Sequence, residues 1–207
     1  MNIQQFVQEF ALLAPPLLLS LTMHELAHGL VAYRLGDPTA KQLGRLTLNP
    51  LKHLDLLGTI AFFIMKIGWA KPVPVNASYF KNPRRDMMWV ALAGAGANFL
   101  LAVASGILAR LVVNAINIIP SFFLIPLAQM IAASVWINVM LGFFNLLPIP
   151  PLDGAKVLEG LLPSGFAVNF RRLESFGFII LLVLFYTGII PRLLMPLINF
   201  ANNLILP

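Results

Sequence analysis

The feature that most limits the fold of this 207-residue chain is a series of long apolar segments separated by short polar stretches. A helix needs roughly 20 mostly apolar residues to cross a bilayer. Four segments satisfy or approach this length, with approximate bounds Phe10–Tyr33, Met87–Val113, Phe122–Leu147 and Phe176–Ile190. A last apolar stretch, 193–206, is short and contains Pro196, so it either lies along the membrane interface or completes a broken helix. We therefore predict an all-α polytopic membrane protein with about four to five transmembrane or broken helices.

The composition supports this class of protein. Hydrophobic residues make up 59% of the chain and charged residues only 11%, well below the fraction of about 25% that is typical of soluble domains. The net charge of +6 does not indicate nucleic-acid binding, because the basic residues form no single patch interleaved with aromatic residues. The chain has no cysteine, so any metal site must use nitrogen and oxygen ligands. Because we find no internal repeat or soluble linker, we predict that residues 1–207 form a single membrane-embedded domain.

The basic residues predict the orientation in the membrane. Nine of them lie between the first and second apolar segments and three between the third and fourth, whereas the first ten residues contain none. Short loops rich in lysine and arginine face the cytoplasm, so we expect a multi-pass protein of the cell membrane with its N-terminus outside. The lack of basic residues at the start also predicts that there is no removable signal peptide.

A different kind of segment lies between the first two predicted spans. Residues 54–65 are apolar but too short to cross a bilayer. The flanks LGRLTLNPL and GWAKPVPVN alternate like strands and are interrupted by proline and glycine. We predict a re-entrant loop carrying short β-strands, which a membrane tolerates only where the backbone is buried in protein or faces a wet cavity.

Three ionisable residues interrupt the first apolar segment, where His24-Glu-Leu-Ala-His28 has the pattern H-E-x-x-H. Residues four apart share one face of a helix, so both imidazoles can reach one metal ion, and Glu25 is placed to accept a proton from water. A chance match is the alternative. Ionisable residues inside a span are costly and usually functional, and two of the three histidines in the chain lie here.

A third metal ligand must come from elsewhere in the chain. The third apolar segment ends on the same side of the membrane as the first and continues into PIPPLDGAK. Asp153 in this stretch is a candidate ligand at a similar depth. Asp-Gly-Ala-Lys can also begin a short helix with Asp153 as its N-cap, so the pattern alone leaves both roles open.

The motifs in this order resemble the site-2 protease family of intramembrane zinc metalloproteases. The matching residues are H-E-L-A-H in the first span and F-N-L-L-P-x-x-P-L-D-G over 144–154. The loop between the first two spans is similar to that of small bacterial members without a PDZ domain. The run 93–98 resembles the G-x-x-x-N-like segment of the family, and the resemblance covers most of the chain from Ser20 to Gly160.

The resemblance implies that His24, His28 and Asp153 bind one zinc ion per chain and that Glu25 is the general acid/base. Asn145 matches a family asparagine that positions substrate or stabilises the oxyanion, and helix–helix contact is its alternative role. We predict an intramembrane zinc metalloendopeptidase that hydrolyses a peptide bond within or near the transmembrane segment of a membrane-protein substrate. From the resemblance we expect single-span regulatory proteins among the substrates, and from the basic loops we expect the site nearer the cytoplasmic side.

Four further residues are predicted substrate contacts. Val73 and Val75 lie in a strand-like flank whose edge offers backbone groups to an unwound substrate segment. His53 and Asn98 each have a structural alternative. His53 can form a hydrogen-bonded pair with Asp55, and Asn98 can serve close helix packing.

Two other classes of function compete with the protease. The main alternative is a membrane metal carrier that uses the same His/His/Asp site. However, Glu25 sits where a protease needs its base, and no second chain of ionisable groups marks a path across the membrane. The second competing class is a catalytically silent relative that binds a membrane partner. A Glu25→Gln variant separates the three, because only the protease loses turnover while keeping its metal.

Overall fold

The computed structural model describes residues 2–65, 68–114, 120–163, 165–167, 170 and 174–206. Its helices of defined extent are, in chain order, α1 (Ile3–Arg34), α2 (Thr39–Gln42), α3 (Leu56–Met65), α4 (Pro83–Asn114), α5 (Ser121–Asn145), α6 (Asp153–Leu161), α7 (Glu174–Tyr186) and α8 (Ile189–Ile205). Two single turns of 3₁₀-helix, Pro50–Lys52 and Ala77–Tyr79, lie in the loop between α1 and α4.

Three of these helices, α1, α4 and α5, are long and apolar enough to cross a membrane. The helices α7 and α8 bend by 72° at a short break, and together they are long and apolar enough for either a fourth, broken span or a re-entrant loop. Gly188 lies at the break with a φ of +75°, a backbone conformation that glycine adopts without the steric cost of a side chain. The chain is therefore a multi-pass membrane protein, and the last apolar stretch of the sequence lies in α8, the second helix of this bent pair.

The loop between α1 and α4 requires a correction, because the described residues contain no β-strand. The predicted strands are instead irregular and extended segments, joined by one isolated antiparallel bridge between Leu54 and Ala70. Pro72 and Pro74 explain the difference, since proline has no N–H to donate to a strand ladder. Ten-residue α3 lies between the two segments and is too short to span. Its re-entrant placement stays a prediction.

One compact unit of the chain comprises residues 1–20, 98–144 and 183–207. Its apolar interior includes Val112, Leu124 and Ile131. Its polar interior contains Asn98, whose Nδ2 donates to the Oδ1 of Asn138 at 2.9 Å. Because these two amides join α4 to α5 inside apolar helices, their hydrogen bond contributes to helix association.

The other compact unit comprises residues 21–97 and 145–182 and contains the motif residues. Arg84 at the start of α4 donates to the carbonyl oxygens of Glu159 and Leu162 and so caps the C-terminal end of α6. Gly160 lies against Met88, close enough that an added Cβ would be 2.7 Å from the Met88 Cβ. These contacts hold α6, which begins at Asp153, against the first turns of α4. The assignment of residues 1–207 to a single domain stays a prediction.

Candidate metal centre

The helix α1 brings both histidines of the H-E-x-x-H motif to one point. Their rings meet edge to face, with centroids 4.5 Å apart and an interplanar angle of 90°. The Nε2 atoms of His24 and His28 are 2.9 Å apart. Both side chains and Glu25 between them are buried, as the one-face spacing on a helix predicts.

Asp153 reaches the same point from the first turn of α6. Its Oδ2 lies 3.1 Å from the Nε2 of His24 and 3.1 Å from the Nε2 of His28. Leu152 occupies the N-cap position of α6, and Asp153 is the first residue of the helix. Asp153 is therefore not the N-cap, which was the alternative role that the sequence allowed. Gly154 permits the approach, since a Cβ there would be 2.2 Å from the carbonyl oxygen of Leu146.

The protonation of His28 follows from its backbone partner. Its Nδ1 lies 2.7 Å from the carbonyl oxygen of Val90. A carbonyl oxygen can only accept, so Nδ1 donates and carries a proton, and in the neutral tautomer with that proton Nε2 has the lone pair that can bind a metal ion. This contact is of the kind that orients metal-binding histidines, whose second nitrogen usually donates to a carbonyl or carboxylate.

The three convergent atoms fit a zinc ion. Among the described residues, His24, His28 and Asp153 form a group whose ligand atoms lie within 4.8 Å of one another. Among the described residues the buried Oδ2 of Asp153 has no hydrogen-bond partner, and it faces the ring nitrogens of both histidines. Imidazole nitrogen and carboxylate oxygen are zinc ligands, and two ligands at about 2.0–2.1 Å from one ion in tetrahedral geometry lie about 3.3 Å apart. The observed separations of 2.9–3.1 Å are close to that value.

Gly94 of α4 makes room for the two rings. A Cβ at this position would be 2.4 Å from the Cε1 of His28 and 2.6 Å from the Cε1 of His24. Val90, which accepts the hydrogen bond from His28, lies one helical turn earlier on α4. In the sequence Gly94 was notable as part of the run 93–98, and its contact with the histidines was not predicted. The carbonyl of Val90 has no sequence signal, because every residue carries one.

Glu25 also has a backbone partner that the sequence did not predict. Its Oε2 accepts a hydrogen bond of 2.8 Å from the N–H of Val73. The side chain of Val73 is buried, and that of Val75 packs against the apolar cluster of Ala32, Phe80 and Val90. The structure thus brings Val73 to the motif through its main chain. The predicted substrate contacts of both valines stay predictions.

The remaining predicted site residues occupy different surroundings. Asn145 is the partly buried last residue of α5. Asn98 belongs to the other compact unit, where its hydrogen bond to Asn138 joins α4 to α5. This contact agrees with its alternative role in helix packing. Buried His53 contacts the carbonyl oxygen of Thr47 through Nε2 at 2.9 Å, while the Oδ1 of Asp55 accepts from the N–H of Gly58 in α3. The functional roles of these residues stay predictions.

Comparison with known proteins adds an independent observation. A family model described as "Peptidase family M50" matches residues 113–186, which include Asn145 and Asp153. YwhC of Bacillus subtilis is 44% identical over 191 residues, which is 92% of this chain and 87% of that protein. Rip2 of Mycolicibacterium smegmatis is 31% identical over 191 residues, covering 90% of this chain and 71% of that protein.

Rip2 of Mycobacterium tuberculosis is 32% identical over 174 residues, which is 81% of this chain and 64% of that protein. YwhC and both Rip2 proteins carry the name "Putative zinc metalloprotease". No solved structure matches the chain.

Proposed function

Because this chain belongs to peptidase family M50, the site-2 protease family of zinc metalloproteases, we propose that it is an intramembrane endopeptidase. Its reaction is the hydrolysis of a peptide bond within or near the transmembrane segment of a membrane-protein substrate. One observation carries this proposal. The group of His24, His28 and Asp153 lies on and against α1, a helix with the length and composition of a membrane span, and Glu25 is beside it.

In this proposal His24, His28 and Asp153 hold one zinc ion per chain. Three protein ligands leave a further coordination position, which distinguishes hydrolytic from structural zinc sites. When bound, zinc supplies Lewis acidity, which makes water more acidic and polarises a peptide carbonyl. The hydrogen bond from His28 to Val90 keeps the imidazole in the orientation and tautomer that binding requires.

The proton transfers are assigned to Glu25. As general base it accepts a proton from the attacking water, and as general acid it returns that proton to the leaving amide nitrogen. Asn145 is proposed to donate from its side-chain amide to the carbonyl oxygen as negative charge develops there. Loss of such a donor typically costs about a hundredfold or more in rate.

The membrane placement of the site is part of the proposal. The distribution of the basic loops supports a proposed orientation with the N-terminus outside and the site nearer the cytoplasmic side, from which water would enter. A substrate helix has its backbone hydrogen bonds closed, so it must unwind locally before a peptide bond can be attacked. Single-span regulatory proteins are the substrate class that we propose, and the surrounding bilayer is the other partner.

The test compares wild-type protein with Glu25→Gln in detergent. The probes are tagged single-span model proteins whose apolar segments carry a helix-breaking Gly-Pro pair at different depths. We expect wild type to produce new fragments and the variant to retain its zinc while losing about a hundredfold or more in turnover. Equal cleavage by both proteins would contradict the role of Glu25. Absence of cleavage, together with zinc uptake into vesicles by both proteins, would favour the metal carrier instead.

A further inference from the structure

A short extended segment of the loop, residues 71–76, is held at both ends. We call it the strap. At its start the N–H of Lys71 donates to the carbonyl oxygen of His53 at 2.8 Å, and the carbonyl oxygen of Lys71 accepts from Nη2 of Arg45 at 2.8 Å. At its end the N–H of Asn76 donates to Oδ2 of Asp37 at 2.7 Å. Arg45, His53 and Asp37 are all buried, so these anchors are shielded from water.

Between its anchors the strap meets the motif helix at Glu25. Val73 donates its N–H to Oε2 of Glu25 at 2.8 Å. Its side chain lies beside Gly29, one turn further along α1, where an added Cβ would be 3.1 Å from Cγ1 of Val73. Pro72 and Pro74 on either side have no N–H and restrict the backbone to extended conformations. Val73 therefore carries the only N–H between Lys71 and Val75, and its position is fixed by the anchors.

We infer that the backbone N–H of Val73 positions Glu25 for proton transfer, an inference that rests on the proposed function. The hydrogen bond engages Oε2, and a carboxylate has a second oxygen with which to accept a proton. Holding one oxygen fixes the rotamer of a buried side chain and directs the other oxygen. Val73 is thus a positioning residue that acts through Glu25, and the anchors of the strap set where its N–H lies.

This role differs from the predicted one, in which Val73 and Val75 pair with an unwound substrate segment. Pairing with substrate is an interaction of binding, so its loss raises KM. Positioning of Glu25 acts on the chemical step, so its loss lowers kcat while KM stays constant. The two roles are separable by kinetics on one set of variants.

The kinetic experiment removes single N–H groups from the strap of the full chain in detergent. Val73→Pro deletes the N–H that binds Glu25. Val75→Pro makes the same chemical change at the other predicted substrate contact, where a loss of substrate pairing raises KM and leaves kcat unchanged. Val73→Ala shortens the side chain and keeps the N–H. With a cleaved single-span model protein as probe, we expect kcat of Val73→Pro to lie about tenfold to a hundredfold below that of both other variants. Its KM and its zinc content should equal those of wild type.

The other outcomes overturn the inference. An increase in KM with unchanged kcat would assign Val73 to substrate pairing. A faster Val73→Pro enzyme would make the strap an inhibitory cover over Glu25. Zinc loss confined to Val73→Pro would show that the strap supports the metal site and not the base.

A second measurement does not depend on cleavage. Amide hydrogen exchange of the strap reports few groups, because Pro72 and Pro74 have no amide hydrogen. In Glu25→Ala we expect the amide of Val73 to exchange at least tenfold faster than in wild type, while Lys71 and Asn76 keep their protection. Equal exchange at Val73 in both proteins would overturn the inference. If wild type cleaves no model substrate, the proposed function fails, and this measurement still decides whether Val73 holds Glu25.

Discussion

Gly94 offers a sharp test of the metal centre, because replacing it with alanine should displace both histidine rings. In the structure an added Cβ would be 2.4 Å from Cε1 and 2.5 Å from Nε2 of His28, and 2.6 Å from Cε1 of His24. Ordinary van der Waals contact begins at 3.4 Å. The rings or the helix must therefore retreat by about 1 Å to accept a single methyl group.

The size of the effect follows from this displacement. Metal–ligand distances tolerate changes of only about 0.2 Å, so a shift of about 1 Å removes the favourable geometry of at least one ligand. A retreat of His28 also stretches its 2.7 Å hydrogen bond to Val90. Disturbing such supporting contacts typically costs about 10–100-fold in metal affinity. We predict that Gly94→Ala raises the Kd for zinc by at least about tenfold, which corresponds to about 1.4 kcal/mol.

The assay is a competition for zinc between metal-free protein in detergent and a chromophoric chelator. Gly96→Ala is the matched control, since it lies on the same helix and an added Cβ there has nothing within 4 Å. Alanine favours a helix over glycine by about 0.5–1 kcal/mol at both positions, so helix propensity cannot explain a difference. Equal zinc affinity of the two variants would refute the argument that Gly94 sets the space available to the histidines.

Two further predictions concern stability. Gly154→Ala should lower the thermal unfolding temperature, because its Cβ would be 2.2 Å from a backbone carbonyl oxygen, whereas Gly165→Ala, with nothing within 4 Å, should not. Equal unfolding temperatures would contradict this. Burial raises the pKa of Asp37, but hydrogen bonds from Thr39 and Asn76 outweigh burial and lower it. The stabilisation of the folded protein by ionised Asp37 is therefore complete above the unfolded pKa of about 3.9 and is lost as the pH falls through the lower folded pKa. When the free energy of unfolding is measured against pH, Asp37→Asn should therefore not show this loss of stability below about pH 4.

The membrane helices were predictable from the sequence because a span must be long and apolar. The first three predicted segments fall within α1, α4 and α5 or differ from them by a few residues. The fourth, Phe176–Ile190, was wrong as a single helix, because it runs across the 72° break between α7 and α8. The helix α1 begins at Ile3, seven residues before the predicted start at Phe10. Gln4 and Gln5 lower the apolarity of this first turn, but glutamine is a good helix former, so the helix continues beyond its most apolar part.

The loop between α1 and α4 was predicted less well. Alternation of apolar and polar residues near Val73 and Val75 indicated strands, but Pro72 and Pro74 each remove a ladder donor. The extended conformation was therefore predictable and the pairing was not. The same prolines limit the strap to few N–H groups, and one of these serves Glu25.

The candidate site also contains residues that could be predicted from the sequence and contacts that could not. His24, Glu25 and His28 were predictable because their helical spacing carries the signal, and the structure brings Asp153 to them as the motif order suggested. The supporting contacts were not predictable, since Val90 and Val73 act through backbone groups that any residue could supply. Gly94 had a sequence signal, but the contact with two histidines depends on how α4 packs against α1.

The measurement that tests the central claim most directly is the zinc content per chain of detergent-purified wild type and Asp153→Ala, determined side by side after reloading with zinc. It needs no substrate. The account predicts about one zinc ion per wild-type chain and much less in the variant, because a catalytic zinc site depends on three protein ligands. Equal zinc in both proteins would remove Asp153 from the site and contradict the three-ligand metal centre on which the proposed protease activity rests.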